Sequence, residues 1–311
     1  MAIEHASVQV ARKPWGVADL HPWSSIDGSG DAVGELWFQR ADKDAPIPAL
    51  LLKLLFTSEP LSIQVHPGDA FARSIGLPNG KTEAWYILSA TPDARIAIGL
   101  KRCLTPQELR ASIKDGTIAD LVQWRPAAKS DIIFVPAGTI HAIGAGIVLA
   151  EIQQRSDTTF RLFDYRRHRE LHEDRAVAVS DAGPVQGQSG PRRLTAARTA
   201  LISSPHFVLE RIDLRANSNW ALDADRETWI LVIEGRARIG LISASVGDAV
   251  FAEADRGGIE VGPDGMSCLV AYPGPDPTMP LLQESGVQTS KSAGTFASPS
   301  PKSNKIGGAQ T

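Results

Sequence analysis

The sequence is poor in several residue types, and each shortage excludes a class of protein. Among 311 residues there are two cysteines, Cys103 and Cys268, separated by most of the chain. They are too few for a disulfide scaffold and too far apart for a thiolate metal site, so we expect two reduced thiols. Neither sign of charge is in excess, with 32 basic and 35 acidic residues and a formal net charge of -3. That balance excludes the basic footprint of a nucleic-acid-binding protein.

Long hydrophobic runs are also missing. The start of the chain, MAIEHASVQVARKPWG, lacks the continuous apolar core that a signal peptide needs. No later run is long enough and uncharged enough to span a bilayer. We therefore expect a cytoplasmic protein with no membrane partner, whose partner is a small molecule. The sequence makes no prediction of oligomeric state.

Short strand-like segments, by contrast, are abundant. They are rich in β-branched or aromatic residues and are bounded by Gly, Pro, Asp or Ser, which predicts a mainly β fold of the sandwich or barrel type. Five such segments in the first half cover residues 63–66, 84–88, 95–99, 132–135 and 147–153. A second β-rich block begins near Phe207 and predicts another barrel half.

One segment departs from the strand pattern. Thr105 can cap a helix that has Pro106 at its first position, and Glu108 at the third position completes a capping box. We therefore predict a small helical insertion near residues 105–121, between two groups of strands.

Composition also suggests where the chain divides. The segment 181–199 is rich in Gly, Pro, Gln and Arg and is predicted to be a linker or crossing loop. From residue 284 onward almost no apolar residue occurs, so burial cannot offset the entropy lost on ordering. We predict a metal-binding catalytic domain over 1–180, a second barrel over 181–283, and a disordered tail over 284–311.

Two of the seven histidines stand in patterns that suggest metal ligands. Gln64 and His66 are two apart, so on a strand both side chains project from one face. A Pro-x-Gly turn precedes His141 and would point it inward, and Glu83 follows a short loop and shares a face with Lys81. Imidazole nitrogen, carboxylate and amide oxygen together suit zinc or another borderline divalent ion. A single histidine on a strand is more often a packing residue, but this combination predicts one divalent-metal site.

These motifs resemble the cupin superfamily and, within it, the short bacterial form of type I mannose-6-phosphate isomerase (phosphomannose isomerase). The resemblance rests on KPWG, LSIQVHP, GKTEAWYIL and VPAGTIHAIGAGIVLAEIQQRSDTTFRLFDY. It implies two cupin-like (jelly-roll) barrel halves and one Zn²⁺ ion. It also implies that mannose 6-phosphate and fructose 6-phosphate are interconverted through an enediolate. The zinc ligands that it implies are Gln64, His66, Glu83 and His141.

The resemblance also assigns residues around the ion. Arg161 matches an active-site arginine, Lys81 and Glu151 match polar active-site positions, and Ser62 is expected to line the sugar pocket. Isomerisation moves a proton between two carbons, and either Glu151 or Lys81 could carry it. Either Lys81 or Arg161 could hold the substrate phosphate. The sequence leaves both choices open.

Two other functions remain as alternatives. One is a different metallocupin, such as an Fe(II) oxygenase with histidine and carboxylate ligands. The other is a sugar-binding cupin that has no turnover. Gln64 in place of a further histidine, with Lys81 and Arg161 nearby, favours the isomerase over the oxygenase.

Other regions are predicted to carry no metal. The second β-rich block has no histidine around residues 257–261, so we expect that half to be structural and metal-free. His168 and His172 are four apart, a helix-like spacing, but the charges around them favour a solvated face.

Overall fold

Strands dominate the computed structural model, which describes residues 3–28, 30–185, 187 and 190–285. Strands hold 49% of the described residues and helices hold 11%, which confirms the mainly β class. The strands are β1 (Ile3–His5), β2 (Ser7–Val17), β3 (Val33–Gln39), β4 (Leu50–Thr57), β5 (Ile63–Val65), β6 (Glu83–Ala90), β7 (Arg95–Leu100), β8 (Val122–Pro126), β9 (Ile132–Val135), β10 (His141–Ile143), β11 (Ile147–Gln154), β12 (Phe160–Phe163), β13 (Arg192–Arg193), β14 (Arg198–Ser203), β15 (Phe207–Leu214), β16 (Asn219–Ala224), β17 (Thr228–Ile239), β18 (Ile242–Ser245), β19 (Ala249–Ala252), β20 (Asp255–Pro273) and β21 (Leu282–Glu284). The helices are α1 (Asp69–Ser74), α2 (Pro106–Asp115), α3 (Ile118–Leu121) and α4 (Glu173–Val179), with a 3₁₀ turn at Met279–Leu281.

The predicted elements of the first half are confirmed. The five predicted segments fall on β5, β6, β7, β9 and β11, and the helical insertion is the pair α2 and α3. The Thr105 hydroxyl accepts from the Glu108 backbone N–H at 3.2 Å, and the Glu108 carboxylate accepts from the Thr105 backbone N–H at 2.7 Å. Gly116, at a φ of +83°, ends α2 in the left-handed conformation that glycine adopts without strain.

The strands form three antiparallel sheets. Sheet I has the order β2-β3-β4-β11-β6-β9, and sheet II has the order β12-β5-β10-β7-β8. Sheet III contains β1 and the strands from β13 to β21, with β19-β17-β20-β15 at its centre. Among the described residues, the strand pairing leaves all three sheets open.

Sheet I is the middle layer of the molecule. Because side chains alternate along a strand, one of its faces meets sheet II, through residues such as Leu55 and Leu149, and the other meets sheet III, through Leu52 and Ile152. The helices cover the far side of sheet II. Each fully buried large aliphatic side chain in these layers contributes about 1.5–3 kcal/mol.

The two halves of the chain interlock. Strand β1 leaves the first half and pairs with β19, with Ile3 opposite Ala252. At the other end, Glu284 lies in β21 opposite Trp220. The rest of the predicted tail, 286–311, lies outside the described residues. No helix among the described residues is long and apolar enough to cross a membrane.

The strand register gathers polar residues at one end of the space between sheets I and II. On sheet I, Glu151 lies between Lys53 and Trp85 as their direct cross-strand partner. On sheet II, Gln64 lies opposite both His141 and Arg161. The apolar core between the sheets therefore gives way to charged side chains at this end.

Candidate metal centre

His66, Glu83 and His141 form a compact group between sheets I and II. Their ligand atoms all lie within 4.8 Å of one another. His66 Nε2 is 3.3 Å from Glu83 Oε2, and His141 Nε2 is 3.5 Å from Glu83 Oε1. All three side chains are buried, with 1% exposure or less. Within the described residues, this is the one group of three or more His, Cys, Asp or Glu side chains that could hold a metal ion.

Backbone carbonyls fix both imidazole rings. His66 Nδ1 donates to the Thr158 carbonyl and His141 Nδ1 to the Thr139 carbonyl, each at 2.9 Å, so the Nε2 of each neutral ring is unprotonated and carries the lone pair that a metal ion would need. Burial, reinforced by the Lys81 charge, lowers the pKa of His66 to about 3, and burial also lowers the pKa of His141. Both rings are therefore neutral at neutral pH, the state in which histidine binds metal.

Two glycines let the ligand-bearing loops approach each other. Gly138, at a φ of +90°, donates its N–H to the His66 carbonyl at 2.8 Å and so ties the predicted Pro-x-Gly turn to the first histidine. A Cβ on Gly80 would lie 2.4 Å from the Pro67 carbonyl oxygen, so only glycine fits there. This close approach sets Lys81 and the start of β6 beside His66.

Gln64 reaches the group through its amide. Its Nε2 lies 3.2 Å from His141 Nε2, and its Oε1 accepts a hydrogen bond from the Ser62 hydroxyl at 3.1 Å. If the Gln64 amide were rotated by half a turn, Oε1 would point at the group and the Ser62 hydroxyl would accept a hydrogen bond from Nε2. Gln64 can therefore serve as a fourth ligand without any movement of the backbone.

The charges of the group fit a cation. Glu83 Oε2 is fully buried and accepts no well-aligned hydrogen bond from the described residues, although Lys81 Nζ lies 2.9 Å away. Burial alone would raise the pKa of Glu83, but Lys81 and His66 hold it well below its usual range. Burial would lower the pKa of Lys81, but Glu83 and Glu151 raise it above its ordinary value. A carboxylate and two neutral imidazoles are a donor set that suits a borderline divalent ion.

Glu151 lies beside this group, and its pKa is shifted in the opposite direction from that of Glu83. Burial, with the nearby Glu83 charge, raises the pKa of Glu151. Its Oε1 is 3.3 Å from Lys53 Nζ, and its Oε2 accepts from the Trp85 indole N–H at 3.2 Å. Two neighbouring carboxyl groups whose pKa values are displaced in opposite directions are typical of acid–base sites.

A cavity of about 170 Å³ is lined in part by residues that contact the group, Gln64 and Lys81. Its wall includes Ser62, Gln64, Lys81 and Glu151, and further residues are Lys13, Trp15, Lys53, Arg161, Arg169 and His172. Concavities of about 540 to 560 Å³ lie elsewhere, but the converging charges are in this smaller one. Glu35 and Asp157 also line it, but its five lysine and arginine side chains outnumber its three carboxyl groups, so the wall suits an anionic ligand.

Sequence comparison decides the family. No family model matches the chain. Mannose-6-phosphate isomerase from Streptococcus mutans is 34% identical over 201 residues, which are 62% of this chain and 63% of the relative. ManA of Bacillus subtilis, also a mannose-6-phosphate isomerase, is 35% identical over 206 residues, 61% and 63% of the two chains. The Bacillus subtilis homologue YvyI is 31% identical over 222 residues, 66% and 69% of the two chains.

The chain belongs to the mannose-6-phosphate isomerase family. Its matched region spans 63% of the length of the first two relatives, which is less than two thirds. The crystal structure of the Bacillus subtilis mannose 6-phosphate isomerase has a TM-score of 0.76 at 24% identity, over 88% of this chain and all of that one. A variant of Salmonella typhimurium phosphomannose isomerase has a TM-score of 0.69 at 14% identity, with the same coverage. Both solved structures share the fold.

The structure of this family member brings the sequence-predicted site residues together. His66, Glu83 and His141 form the group, and the other predicted residues, Ser62, Gln64, Lys81, Glu151 and Arg161, line the adjoining cavity. Their individual roles stay predictions.

Other cavity residues were missed in the sequence. Lys53 is a lone charge within the apolar run ALLLKLLF, a signal that would have identified it. Arg169 carries no such local signal. Of the two histidines expected on a solvated face, His168 is exposed, whereas His172 is half-buried: its Nδ1 accepts from the Arg161 backbone N–H at 3.0 Å, and it lines the cavity. The loop after β12 returns to the site, and only the tertiary structure shows that.

Proposed function

We propose that this family member is a zinc-dependent aldose–ketose isomerase that interconverts mannose 6-phosphate and fructose 6-phosphate. The observation that carries the proposal is the buried His66, Glu83 and His141 group beside a small cavity lined with cations. The names of the relatives indicate the sugar phosphate.

Zinc is the proposed ion because of the donor set. His66 and His141 would bind it through Nε2 and Glu83 through its carboxylate, and Gln64 would complete four ligands through Oε1. When bound, the ion would polarise the substrate carbonyl and its neighbouring hydroxyl. The carbonyls that hold both Nδ1–H groups keep the imidazoles in the required tautomer.

Arg161 is proposed to stabilise the negative charge that develops on the substrate oxygens. It lines the cavity, and its backbone is anchored because its carbonyl accepts from the His172 backbone N–H at 2.9 Å. A guanidinium at the wall of a small cavity stabilises an enediolate more strongly than one in water.

Glu151 is the proposed proton carrier between C1 and C2. It lines the cavity, and its raised pKa makes protonation accessible during turnover. Lys81, the alternative, has its Nζ 3.2 Å from His66 Nε2 and 2.9 Å from Glu83 Oε2. This placement suits a cation that supports the ligands better than a base that meets the sugar.

The phosphate is proposed to bind at the cationic wall away from the ligands. Arg169 and Lys13 both line the cavity, and the side chains of both are more than a quarter exposed. Arg169 and Lys13 also lie over the Trp15 ring, at 5.1 and 5.6 Å from its centroid. Guanidinium and ammonium groups are good partners for a phosphate.

The test combines metal analysis with a coupled assay. We expect the purified chain to contain about one zinc ion and to convert mannose 6-phosphate to fructose 6-phosphate, with activity lost on chelation and restored by zinc. If the zinc-loaded chain did not convert mannose 6-phosphate to fructose 6-phosphate, the proposed isomerase activity would be refuted.

One observation favours a second candidate. Two histidines and one carboxylate are also the ligands of non-haem Fe(II) oxygenases. An Fe(II)-loaded chain that consumes oxygen, with no isomerisation when zinc-loaded, would support that function instead.

A further inference from the structure

We infer that Trp85 is a positioning residue that sets the spacing between the metal-ligand carboxylate Glu83 and the proton carrier Glu151. The inference deepens the proposed function and rests on it. The indole N–H of Trp85 holds the two acidic groups in fixed and different orientations.

The geometry places the indole between the two carboxylates. Trp85 Nε1 lies 3.1 Å from Glu83 Oε1 and 3.2 Å from Glu151 Oε2, so a single N–H is shared by both. The ring also packs edge-on against His141, with centroids 5.5 Å apart and an interplanar angle of 70°. Trp85 is fully buried, so water cannot replace its N–H. One side chain therefore contacts two proposed ligands and the proposed acid–base group.

The shared donor leaves each carboxylate with a defined second oxygen. Glu151 Oε1 is 3.3 Å from Lys53 Nζ, while Glu83 Oε2 points at His66 and Lys81. Without the N–H, Glu83 Oε1 would lose its donor, so the ligand carboxylate would no longer be held in one orientation, and Glu151 would be drawn toward Lys53. Two carboxylates that repel each other across neighbouring strands would then lose the group that lies between them.

The chain contains a matched control. Trp229 in sheet III donates its indole N–H to Glu227 Oε1 at 2.9 Å, with the same two-residue spacing as Glu83 and Trp85. Trp229 is fully buried but is packed in the apolar layer between sheets I and III. A Trp-to-Phe change removes the same kind of bond at both places, and only one of them adjoins the candidate metal centre.

The first experiment compares Trp85→Phe with Trp229→Phe and the unchanged chain. Metal affinity is measured by chelator competition, and the visible spectrum is recorded with Co²⁺ in place of zinc. We expect Trp85→Phe to weaken metal binding by about 10- to 100-fold and to alter the Co²⁺ spectrum, because the support of a ligand is lost. In the assay, kcat should fall by a similar factor while KM changes little. Trp229→Phe should leave affinity, spectrum and kcat unchanged.

The second experiment keeps Trp85 in place and follows the indole N–H groups by NMR in the ¹⁵N-labelled chain. Zinc binding should shift the Trp85 resonance and leave that of Trp229 in place, and Glu151→Gln should shift the Trp85 resonance as well. In the Glu151→Gln background, Trp85→Phe should lower kcat by much less than it does alone, since the two act through one bond.

Three results would overturn the inference. The first is that folded Trp85→Phe has an unchanged metal affinity and an unchanged Co²⁺ spectrum. The second is a Trp85 indole resonance that shifts neither with zinc nor with Glu151→Gln. The third is that Trp85→Phe and Trp229→Phe have equal effects. An unchanged chain that binds metal without isomerising the sugar would refute the proposed function alone, because affinity, spectrum and resonance still test the positioning of Glu83.

Discussion

The start of β6 in sheet I and the start of β17 in sheet III each carry a glutamate and a tryptophan two residues apart, and these two pairs differ in what covers them. Glu83 and Trp85 begin β6, and Glu227 and Trp229 stand at the start of β17. In both pairs the indole N–H donates to the glutamate, at 3.1 and 2.9 Å. The local pattern and its hydrogen bond are therefore the same.

Because their surroundings differ, one pair belongs to the candidate metal centre and the other links sheet III to the first half of the chain. Trp85 faces sheet II and has Glu151 as its cross-strand partner, whereas Trp229 faces sheet I and has Ala271. Glu227 accepts from the backbone N–H groups of Ala49 and Leu50 at 2.6 and 2.9 Å, so it fastens sheet III to the first half.

The electrostatic outcome differs for the same reason. Burial raises the pKa of Glu227, whose partners are mainly neutral N–H groups. The pKa of Glu83 is lowered because Lys81 and His66 outweigh burial. A buried carboxylate that faces a lysine and two imidazoles is thus a candidate metal ligand. A buried carboxylate that faces backbone amides instead accepts their hydrogen bonds and links two segments of the chain.

The largest expected effect comes from removing a ligand on the sheet II side. His141→Ala should abolish metal binding and lower kcat/KM by about 10³-fold or more, because the ion supplies several kcal/mol of charge stabilisation. Metal content by elemental analysis and the coupled assay check this. His206→Ala, in the second half, is the control and should change neither. Full metal content in His141→Ala would contradict the ligand assignment.

The next largest effect tests the cavity wall. Arg161→Ala should keep the metal but lower kcat/KM by about 10²- to 10³-fold, as the loss of one charge-stabilising donor typically does. Arg238→Ala, an exposed arginine of sheet III, should leave activity unchanged. Loss of metal from Arg161→Ala would show instead that this arginine supports the fold of the site.

A smaller effect, on stability alone, is expected at Glu227, which links sheet III to the first half of the chain. Glu227→Ala would remove the acceptor of the exposed Ala49 N–H and would leave two buried N–H donors, those of Leu50 and Trp229, without their acceptor. Since each such group costs about 1–3 kcal/mol, we expect the free energy of unfolding to fall by at least about 2 kcal/mol. Denaturant unfolding measures it. Metal affinity should not change; a weakened affinity would mean that the two pairs are coupled.

The smallest effect is expected at Ser62, which orients the Gln64 amide. Ser62→Ala should weaken metal binding by about tenfold, the lower end of what a supporting hydrogen bond contributes. Chelator competition is the measurement, with Ser58→Ala as a hydroxyl control whose bonds go to the Trp15 and Gly16 carbonyls. An unchanged affinity in Ser62→Ala would indicate that Gln64 is not a ligand.

Much of this protein could be predicted from local sequence. Alternating apolar residues placed β5, β6, β7, β9 and β11, and the Thr105 capping box placed α2, because these signals act within a few residues. The spacing of Gln64 and His66 and the turn before His141 identified site candidates, since the metal chemistry requires those residue types.

The tertiary structure decided what faces what. The Glu-x-Trp spacing is the same at Glu83 and at Glu227, and the packing of sheet I between sheets II and III gives the two pairs different neighbours from distant parts of the chain. The addition of His172 and Arg169 to the cavity likewise depends on a loop that returns after β12. Chemistry that depends on groups far apart in the chain is fixed by packing and strand register, which no short stretch of sequence contains.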